Sequence, residues 1–222
     1  MRRLFLPFLT TLLLVCLTTG LGIWQLQRLT WKRDILARIE ASERAAPVPL
    51  PADPSGFQKI IVHGQLDGTR AIAYLDDVRD DPRGDAVMGT HLVEPLLRPG
   101  QPPLLVDLGW VKYPPAPISG PAGITGYVRP AEHAGWMSAK DDPRNRRFYT
   151  LDPARIAAGV GLPAPLPYVV VALGSAGTPD PAHSLPRPPN DHLEYAVTWF
   201  SLALVATVMF LAWTRSFNRR TR

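Results

Sequence analysis

The feature that most constrains this chain is the apolar run from Leu193 to Trp213, near its C-terminus. It contains 21 residues and one charge, Glu194, close to its start. As a helix with a rise of about 1.5 Å per residue, the run would be about 30 Å long, which is the thickness of a bilayer's hydrocarbon core. His192 precedes the run, and a tail with four arginines, TRSFNRRTR, follows it. The sequence therefore predicts a transmembrane helix with an imidazole at one interface and cations at the other.

A second apolar run lies near the start of the chain. Its uncharged part extends from Leu4 to Gln27 and follows Arg2 and Arg3. A basic start before an apolar core is also typical of a secretory signal peptide, but this run is longer than a usual signal core and no Ala-x-Ala cleavage site follows it. Because its length matches a membrane span, we predict a retained transmembrane helix that continues beyond the bilayer.

Charge and cysteine content argue against two classes of function. The net charge of +5 could indicate nucleic-acid binding, but many of the arginines flank the apolar runs, where bilayer topology explains them better than phosphate contacts do. We therefore expect no nucleic-acid partner. The single cysteine, Cys16, lies in the first apolar run, so the sequence offers no internal disulfide and no cysteine-based zinc or redox motif.

The middle of the chain consists of short apolar stretches separated by turn residues, a pattern that favours β-strands. A short helix is predicted at residues 153–159, where Asp152 suits the N-cap and Pro153 the first position. We predict a membrane α + β protein, in which two transmembrane helices bracket a mainly antiparallel β-sheet or barrel-like domain with one short helix. The strands are predicted in QKIIVHGQL, AIAYLDD, AVMGTHLVEPLL, PPLLVDLGWVKY, GITGYVR, RRFYTL and LPYVVVAL.

Four segments and a membrane orientation follow from these patterns. They are a first helix with its extramembrane extension (1–46), a β-rich domain (47–189), a second helix (190–214) and a basic tail (215–222). Two spans place both termini on one side of the membrane. The basic residues near the two sides are almost equal in number, but the tail is strongly basic while PNDHLE before the second helix is net acidic. The positive-inside rule then predicts cytoplasmic termini and a periplasmic β domain, with the chain in the inner membrane.

Aromatic and basic residues recur where the first helix leaves the membrane. Trp24, Arg28, Trp31 and Lys32 follow each other at spacings of four, three and one, so they share one face of a helix. One interpretation is an interfacial aromatic belt with cations that extend toward the headgroups. The other is a surface of indoles and a guanidinium that contacts a flat, anionic ligand or a partner. Spacing alone leaves both open.

The β-rich region contains no grouping of residues typical of an enzyme. Its histidines are scattered, with no His-Glu-x-x-His pair, and no serine lies in a Gly-x-Ser-x-Gly turn. We therefore do not expect an enzyme. A membrane-bound hydrolase would require polar residues to assemble in one deep pocket of the β domain.

Several segments together resemble the Surfeit-locus (Surf-type) assembly factors of cytochrome c oxidase. The resemblance lies in LGIWQLQRLTWK, VDLGWVKY, GYVRP, DDPRNRRFYTLDP and PNDHLEYAVTWFSLA, and it covers nearly the whole chain in the expected order. It implies two membrane helices around an extracytoplasmic domain and a role in maturation of the haem a-containing oxidase subunit. Where the family often has paired asparagines before the histidine, this chain has Asn190–Asp191, which adds a negative charge.

The resemblance implies haem a as a cofactor, and His192 as the candidate ligand of the haem iron. Haem a is apolar and offers an iron that accepts imidazole. Tyr195, Ala196 and Trp199 lie three, four and seven residues further along the same helical face, so the aromatic pair would wall the ring while Ala196 leaves space. The alternative is an interfacial histidine that caps the helix or bonds to Glu194 or Tyr195.

If the two helices pair, the first one would contribute further contacts to haem a. Trp24 and Trp31 would lie near the ring, and Arg28 or Lys32 would bond to the propionates. The expected function is then that of a membrane-anchored assembly factor that assists haem a insertion into the catalytic subunit of cytochrome c oxidase. The alternative is an interaction scaffold that stabilises an oxidase subunit without holding cofactor. The expected partners are the haem-bearing oxidase subunit, the lipid bilayer and, for a haem carrier, haem a synthesis enzymes.

Overall fold

The computed structural model describes residues 2–81 and 83–220, which form three α-helices and eight β-strands. In chain order the elements are α1 (Arg2–Arg44), β1 (Val48–Pro49), β2 (Lys59–Leu66), β3 (Ile72–Asp80), β4 (Ala86–Leu97), β5 (Leu104–Lys112), β6 (Gly120–Pro130), β7 (Arg147–Phe148), α2 (Pro153–Val160), β8 (Tyr168–Ala172) and α3 (His192–Arg220). The chain divides into two compact units. A helical unit contains the residues up to Arg38 and those from Arg187 onward, and a β unit contains Ile39–Pro186.

Helices α1 and α3 are both long and apolar enough to cross a membrane. Their outer faces are covered with exposed large apolar side chains, including Phe5, Leu13, Leu204 and Met209. In water such surfaces would be unfavourable, whereas a hydrocarbon solvent removes the penalty. The two helices therefore indicate a membrane-associated protein. Helix α3 continues to Arg220, so the described residues of the predicted basic tail are helical as well.

The eight strands form one sheet in the order β1-β2-β6-β8-β5-β4-β3-β7. Most neighbouring strands are antiparallel, and the pairs β1–β2, β5–β8 and β3–β7 are parallel. The end of β2 pairs with both β6 and β4, through Gln65↔Pro121 and Gln65↔Leu97. This extra pairing closes β2, β6, β8, β5 and β4 into a ring, so the sheet forms a small barrel to which β3 and β7 are added on one side.

Alternation along the strands sorts the buried side chains into two layers. One cluster receives residues from all five strands of the ring, among them Ile60, Val128, Val170, Val106 and Leu92, and fills the barrel interior. The second cluster lies on the outer face of β4, β5 and β8, next to β3, and is covered by α2 and β7. Its members include Val93, Leu105, Val169, Phe148 and Ile156.

Helix α2 begins and ends where its sequence dictates. The Asp152 side chain accepts hydrogen bonds from the N–H groups of Ala154 and Arg155, at 3.0 and 3.2 Å, and Pro153 occupies the first helical position. Gly161 ends the helix with φ of 66°, a conformation that glycine adopts without strain. The predicted fold class, two terminal helices around a mainly antiparallel β domain with one short helix, is confirmed.

Candidate functional site

Helices α1 and α3 pair antiparallel within the helical unit. Phe8 contacts Phe210 with ring centroids 6.0 Å apart, and further along α1 the ring of Phe200 lies directly over Gly22. A Cβ atom at Gly22 would fall 2.8 Å from carbon atoms of that ring. The absence of a side chain at this position therefore allows the phenyl ring to approach the α1 backbone, as small residues do at helix interfaces in membranes.

The contact between the helices continues along a stripe of buried residues on α1. Thr18, Gly22, Gln25 and Leu29 are buried and follow each other at spacings of four, three and four. These spacings are those of one helix face. The hydroxyl of Thr18 donates to a carbonyl oxygen of its own helix, that of Leu14, at 2.8 Å. Gln25 is the polar residue of the stripe whose side chain reaches the other helix.

His192, the first residue of α3, bonds directly to Gln25. The distance between His192 Nδ1 and Gln25 Oε1 is 2.7 Å. An amide oxygen only accepts hydrogen bonds, so in this arrangement Nδ1 carries the proton and Nε2 of the neutral imidazole keeps its lone pair. In its neutral form the imidazole would therefore have its proton on Nδ1, and Nε2 would be the nitrogen that could bind a metal ion. Such a restraint on a ligating histidine is common in metal sites.

The other predicted residues of α3 differ in their burial and in their position relative to the face that bears His192. Trp199 is half-buried and follows His192 by two turns on the same face, whereas Tyr195 is exposed on the flank of that face. Ala196 is only 1% exposed, so its methyl group has no open space beside it. The backbone N–H of Tyr195 donates to the Asp191 carbonyl oxygen at 3.2 Å, which begins the helix.

The predicted residues of α1 form a second surface. The guanidinium carbon of Arg28 lies 4.3 Å from the centroid of the Trp31 ring, a cation–π contact, and Trp24 and Trp31 are about half exposed. At 100° per residue, this face lies about 120° round the helix axis from the stripe that contains Gln25. Lys32 is half-buried and lies closer to that stripe. The structure therefore joins Arg28 to Trp31, and it joins His192 to Gln25 rather than to the indoles.

Gln25 was not among the candidate residues suggested by the sequence. Its signal was present, because an amide side chain inside the uncharged run Leu4–Gln27 interrupts an otherwise apolar helix face. A buried polar side chain in such a position needs a partner. The aromatic spacing of Trp24 and Trp31 was a stronger pattern, and it pointed to a different face of the helix.

The β unit contains a groove of about 730 Å³ beside Trp110. Arg79, which lines this groove, donates to Asp180 at 2.8 Å and lies over the Trp110 ring, with 5.2 Å between the guanidinium carbon and the ring centroid. Within residues 2–81 and 83–220, no three His, Cys, Asp or Glu side chains are grouped so that they could hold a metal ion. The hydrogen bond between His192 and Gln25 is what makes the helical unit the candidate site.

A family model, described as the SURF1 family, matches residues 12–204, from the first membrane helix into the second. The chain belongs to the SURF1 family. Surfeit locus protein 1 of Mus musculus is 26% identical over 95% of this chain and 75% of its own length, and that of Homo sapiens is 27% identical over 95% and 77%. A SURF1-like protein of Rickettsia conorii is 27% identical over 98% of this chain and 93% of its own length. Membership of the SURF1 family implies a role in the assembly of cytochrome c oxidase, and the predicted family is confirmed.

Proposed function

We propose that this SURF1-family chain is a membrane-anchored assembly factor that binds haem a through His192 and assists its insertion into the catalytic subunit of cytochrome c oxidase. The observation that carries the proposal is the 2.7 Å hydrogen bond between His192 Nδ1 and Gln25 Oε1. It holds the ring in the tautomer whose Nε2 can bind iron, and it does so at the end of a helix that can cross a membrane.

Several residues of the helical unit have the side-chain chemistry that haem a requires. Haem supplies an iron atom that accepts an imidazole, together with an apolar macrocycle and anionic propionates. His192 would hold the iron and Trp199 would contact the apolar ring. Arg28 and Lys32 would supply cations for the propionates by charge-assisted hydrogen bonds. Tyr195, Trp24 and Trp31 are exposed aromatic side chains that add apolar surface around the same end of the helices.

The orientation and partners belong to the same proposal. We infer that both termini are cytoplasmic and that the β unit is periplasmic, because the arginines of the basic tail (215–222) favour the cytoplasmic side of the inner membrane. The partner is then the haem-bearing oxidase subunit, and haem a synthesis enzymes are the donors.

The test compares haem content in a host that makes haem a. His192→Gly should lose most of its haem a and the associated absorption, because the imidazole that would hold the iron is removed. Added imidazole should restore the spectrum, since free imidazole can replace a missing ligand but cannot repair a fault in helix packing. His63→Ala, which removes an exposed imidazole from β2, is the matched control. Unchanged haem content and spectrum in His192→Gly would refute ligation.

A second candidate function, the scaffold without cofactor, is favoured by the exposed face of Trp24 and Trp31. Large aromatic side chains are the usual anchors of protein contacts. If this face binds an oxidase subunit and no cofactor is held, the parent should purify without haem from a host that makes haem a, and the double change Trp24→Ala and Trp31→Ala should abolish co-purification of that subunit. If the subunit still co-purifies with the double variant, the scaffold function is not located on this face.

A further inference from the structure

The most exposed large apolar residues described lie at the tip of a loop in the β unit. The loop joins β6 to β7, and Trp136 and Met137 at its tip are 94% and 77% exposed. No large apolar residue on the described outer faces of α1 and α3 is more than 69% exposed. A tryptophan this exposed is unusual, because its ring normally contributes apolar area to a core or an interface.

The tip is closed by hydrogen bonds that hold both side chains outward. The N–H of Ser138 donates to the Gly135 carbonyl oxygen at 3.1 Å, and the N–H of Gly135 donates to the Ser138 hydroxyl oxygen at 2.8 Å. The two intervening residues, Trp136 and Met137, occupy the centre of this turn, so their side chains point away from the bonded ends.

Both ends of the loop are fixed to the segment after β7. The N–H of Glu132 donates to the Leu151 carbonyl oxygen, and a Glu132 carboxylate oxygen accepts from the N–H of Leu151, both at 3.0 Å. The buried Asp141 carboxylate accepts from the N–H of Tyr149 at 2.8 Å and pairs with Arg155 at 3.1 Å. The exposed apolar tip therefore projects from an anchored base.

Charged groups next to the tip are mostly engaged. The acidic side chains have partners in the pairs Arg129–Glu132, Arg155–Asp141 and Asn145–Asp142. Lys140 is exposed and forms no ion pair with any described residue. A lysine beside an apolar tip can extend toward anionic headgroups while the apolar side chains enter the layer beneath them.

The size of the tip decides between two kinds of occupant. A stable protein interface buries about 800 Å² on each partner and involves 20–30 residues. A large aromatic side chain supplies only about 150–250 Å². Two side chains are thus too little for such an interface, but they suit the membrane–water boundary, where tryptophan is enriched. Two helices of the same chain are long and apolar enough to cross a membrane, so a bilayer is the candidate for this contact.

We propose that the Trp136–Met137 tip inserts into the interfacial layer of the bilayer in which the chain is anchored, with Lys140 directed to anionic headgroups. This contact is independent of haem binding. It gives the β unit a lipid contact of its own, in addition to its two covalent links to the membrane helices.

The test places a probe at the tip of the full-length chain in nanodiscs of phosphatidylcholine and phosphatidylglycerol. In a Cys16→Ser background, Met137→Cys carries an environment-sensitive dye, and Gln101→Cys, in the exposed β4–β5 loop, carries it as the control. We expect a blue shift and quenching by nitroxide-labelled lipids at position 137 only. Adding Trp136→Ser should reduce both signals. Lys140→Glu should weaken them in nanodiscs that contain phosphatidylglycerol.

Three results would overturn the proposal. They are equal spectra without quenching at positions 137 and 101, equal quenching at both positions, and a blue shift at 137 that appears only when a purified oxidase subunit is added. The last result would assign the tip to a protein partner. Because all probe positions are exposed, the variants leave the core of the β unit unchanged.

Discussion

At the residue scale, the central feature is a polar contact between two side chains on otherwise apolar helices. Gln25 and His192 lie 167 positions apart in the chain, and each satisfies a hydrogen-bonding group of the other. The sequence alone identified His192 from its place before an apolar run and from the family resemblance. It did not identify Gln25, because a partner so distant along the chain is set by how the helices pack.

The first prediction concerns Gln25 as a positioning residue. Gln25→Leu removes the acceptor for the Nδ1 proton, so the His192 ring loses its fixed tautomer. We expect haem affinity to fall about 10- to 100-fold, the usual effect of losing such a partner. Gln25→Glu keeps an acceptor and should retain haem while shifting the absorption spectrum, since a carboxylate increases the basicity of the ring.

The measurement is haem titration of the purified variants, followed by absorption spectroscopy. A purely structural role of Gln25 would lower the yield of folded protein without changing the spectrum of the haem that remains bound. Equal affinity in the parent and in Gln25→Leu would show that the hydrogen bond does not act on the iron ligand.

A second residue-scale prediction concerns Glu94, which is fully buried in the β unit. Burial raises the pKa of Glu94 above its ordinary value of 4.5, and the negative charge of Asp67 raises it further. The N–H of Ile118, which donates to Oε1 at 2.7 Å, opposes this shift. The Glu94 carboxyl group therefore ionises at a lower pH in the unfolded chain than in the folded chain. As a result, the free energy of unfolding falls as pH rises from 4.5 to the folded-state pKa.

Glu94→Gln cannot ionise, so its stability relative to the parent should increase as pH rises through this window. Chemical unfolding of both proteins in detergent between pH 4 and pH 8, followed by tryptophan fluorescence, measures the difference. A difference that does not change with pH would mean that Glu94 has the same pKa in the folded and unfolded states.

At the element scale, the small residue that allows helix pairing and the exposed aromatic residues lie on different faces of α1. Gly22 lies on the buried stripe against Phe200, while Trp24 and Trp31 are on an exposed face. The spacing of aromatic residues is easily seen in a sequence, and here it predicted the exposed face that bears Trp24 and Trp31. Which face of α1 pairs with α3 depends on where an aromatic ring of α3 can approach the α1 backbone. That position cannot be read from a single sequence.

The third prediction uses two glycines of α1 as a matched pair. Gly22→Val places atoms where the Phe200 ring lies, and we expect it to weaken helix pairing by about 1–3 kcal/mol, the usual effect of overpacking. Gly20→Val is the control, because a Cβ at Gly20 would meet nothing within 4 Å. Phe200→Ala should restore pairing in the Gly22→Val background.

Pairing can be followed by crosslinking cysteines introduced at Phe8 and Phe210, which are in contact, in a Cys16→Ser background. Equal crosslinking in the Gly22 and Gly20 variants would exclude Phe200 as the determinant of helix packing.

At the scale of the whole molecule, the fold class was predictable, with a sheet and a barrel both left open, but the strand pairing that closes the barrel was not. Each predicted strand segment contains a strand, because β-branched runs bounded by Gly, Pro and Asp mark strands locally. The closing contact between Gln65 and Leu97 joins β2 to β4, which are not consecutive strands, so no local pattern identifies it. The family model links the helices to the β domain, which local patterns do not, because its match extends from the first helix through the barrel into the second helix.

The fourth prediction is the orientation in the membrane. Because the arginines of the basic tail (215–222) favour the cytoplasm, Gln101→Cys in the β unit should react with an impermeant maleimide in spheroplasts, in a Cys16→Ser background. Ser216→Cys, near the end of α3, should react only after lysis. The opposite labelling pattern would reverse the proposed topology.

The bond between Gln25 and His192 also bears on how a bound cofactor could leave the protein. One partner comes from each helix, so a client that wedges the two helices apart would remove the restraint on the imidazole at the same moment. A tenfold to hundredfold loss of metal affinity would follow from that separation alone. Binding to the recipient and weakening of the contact to the cofactor would then occur in the same step.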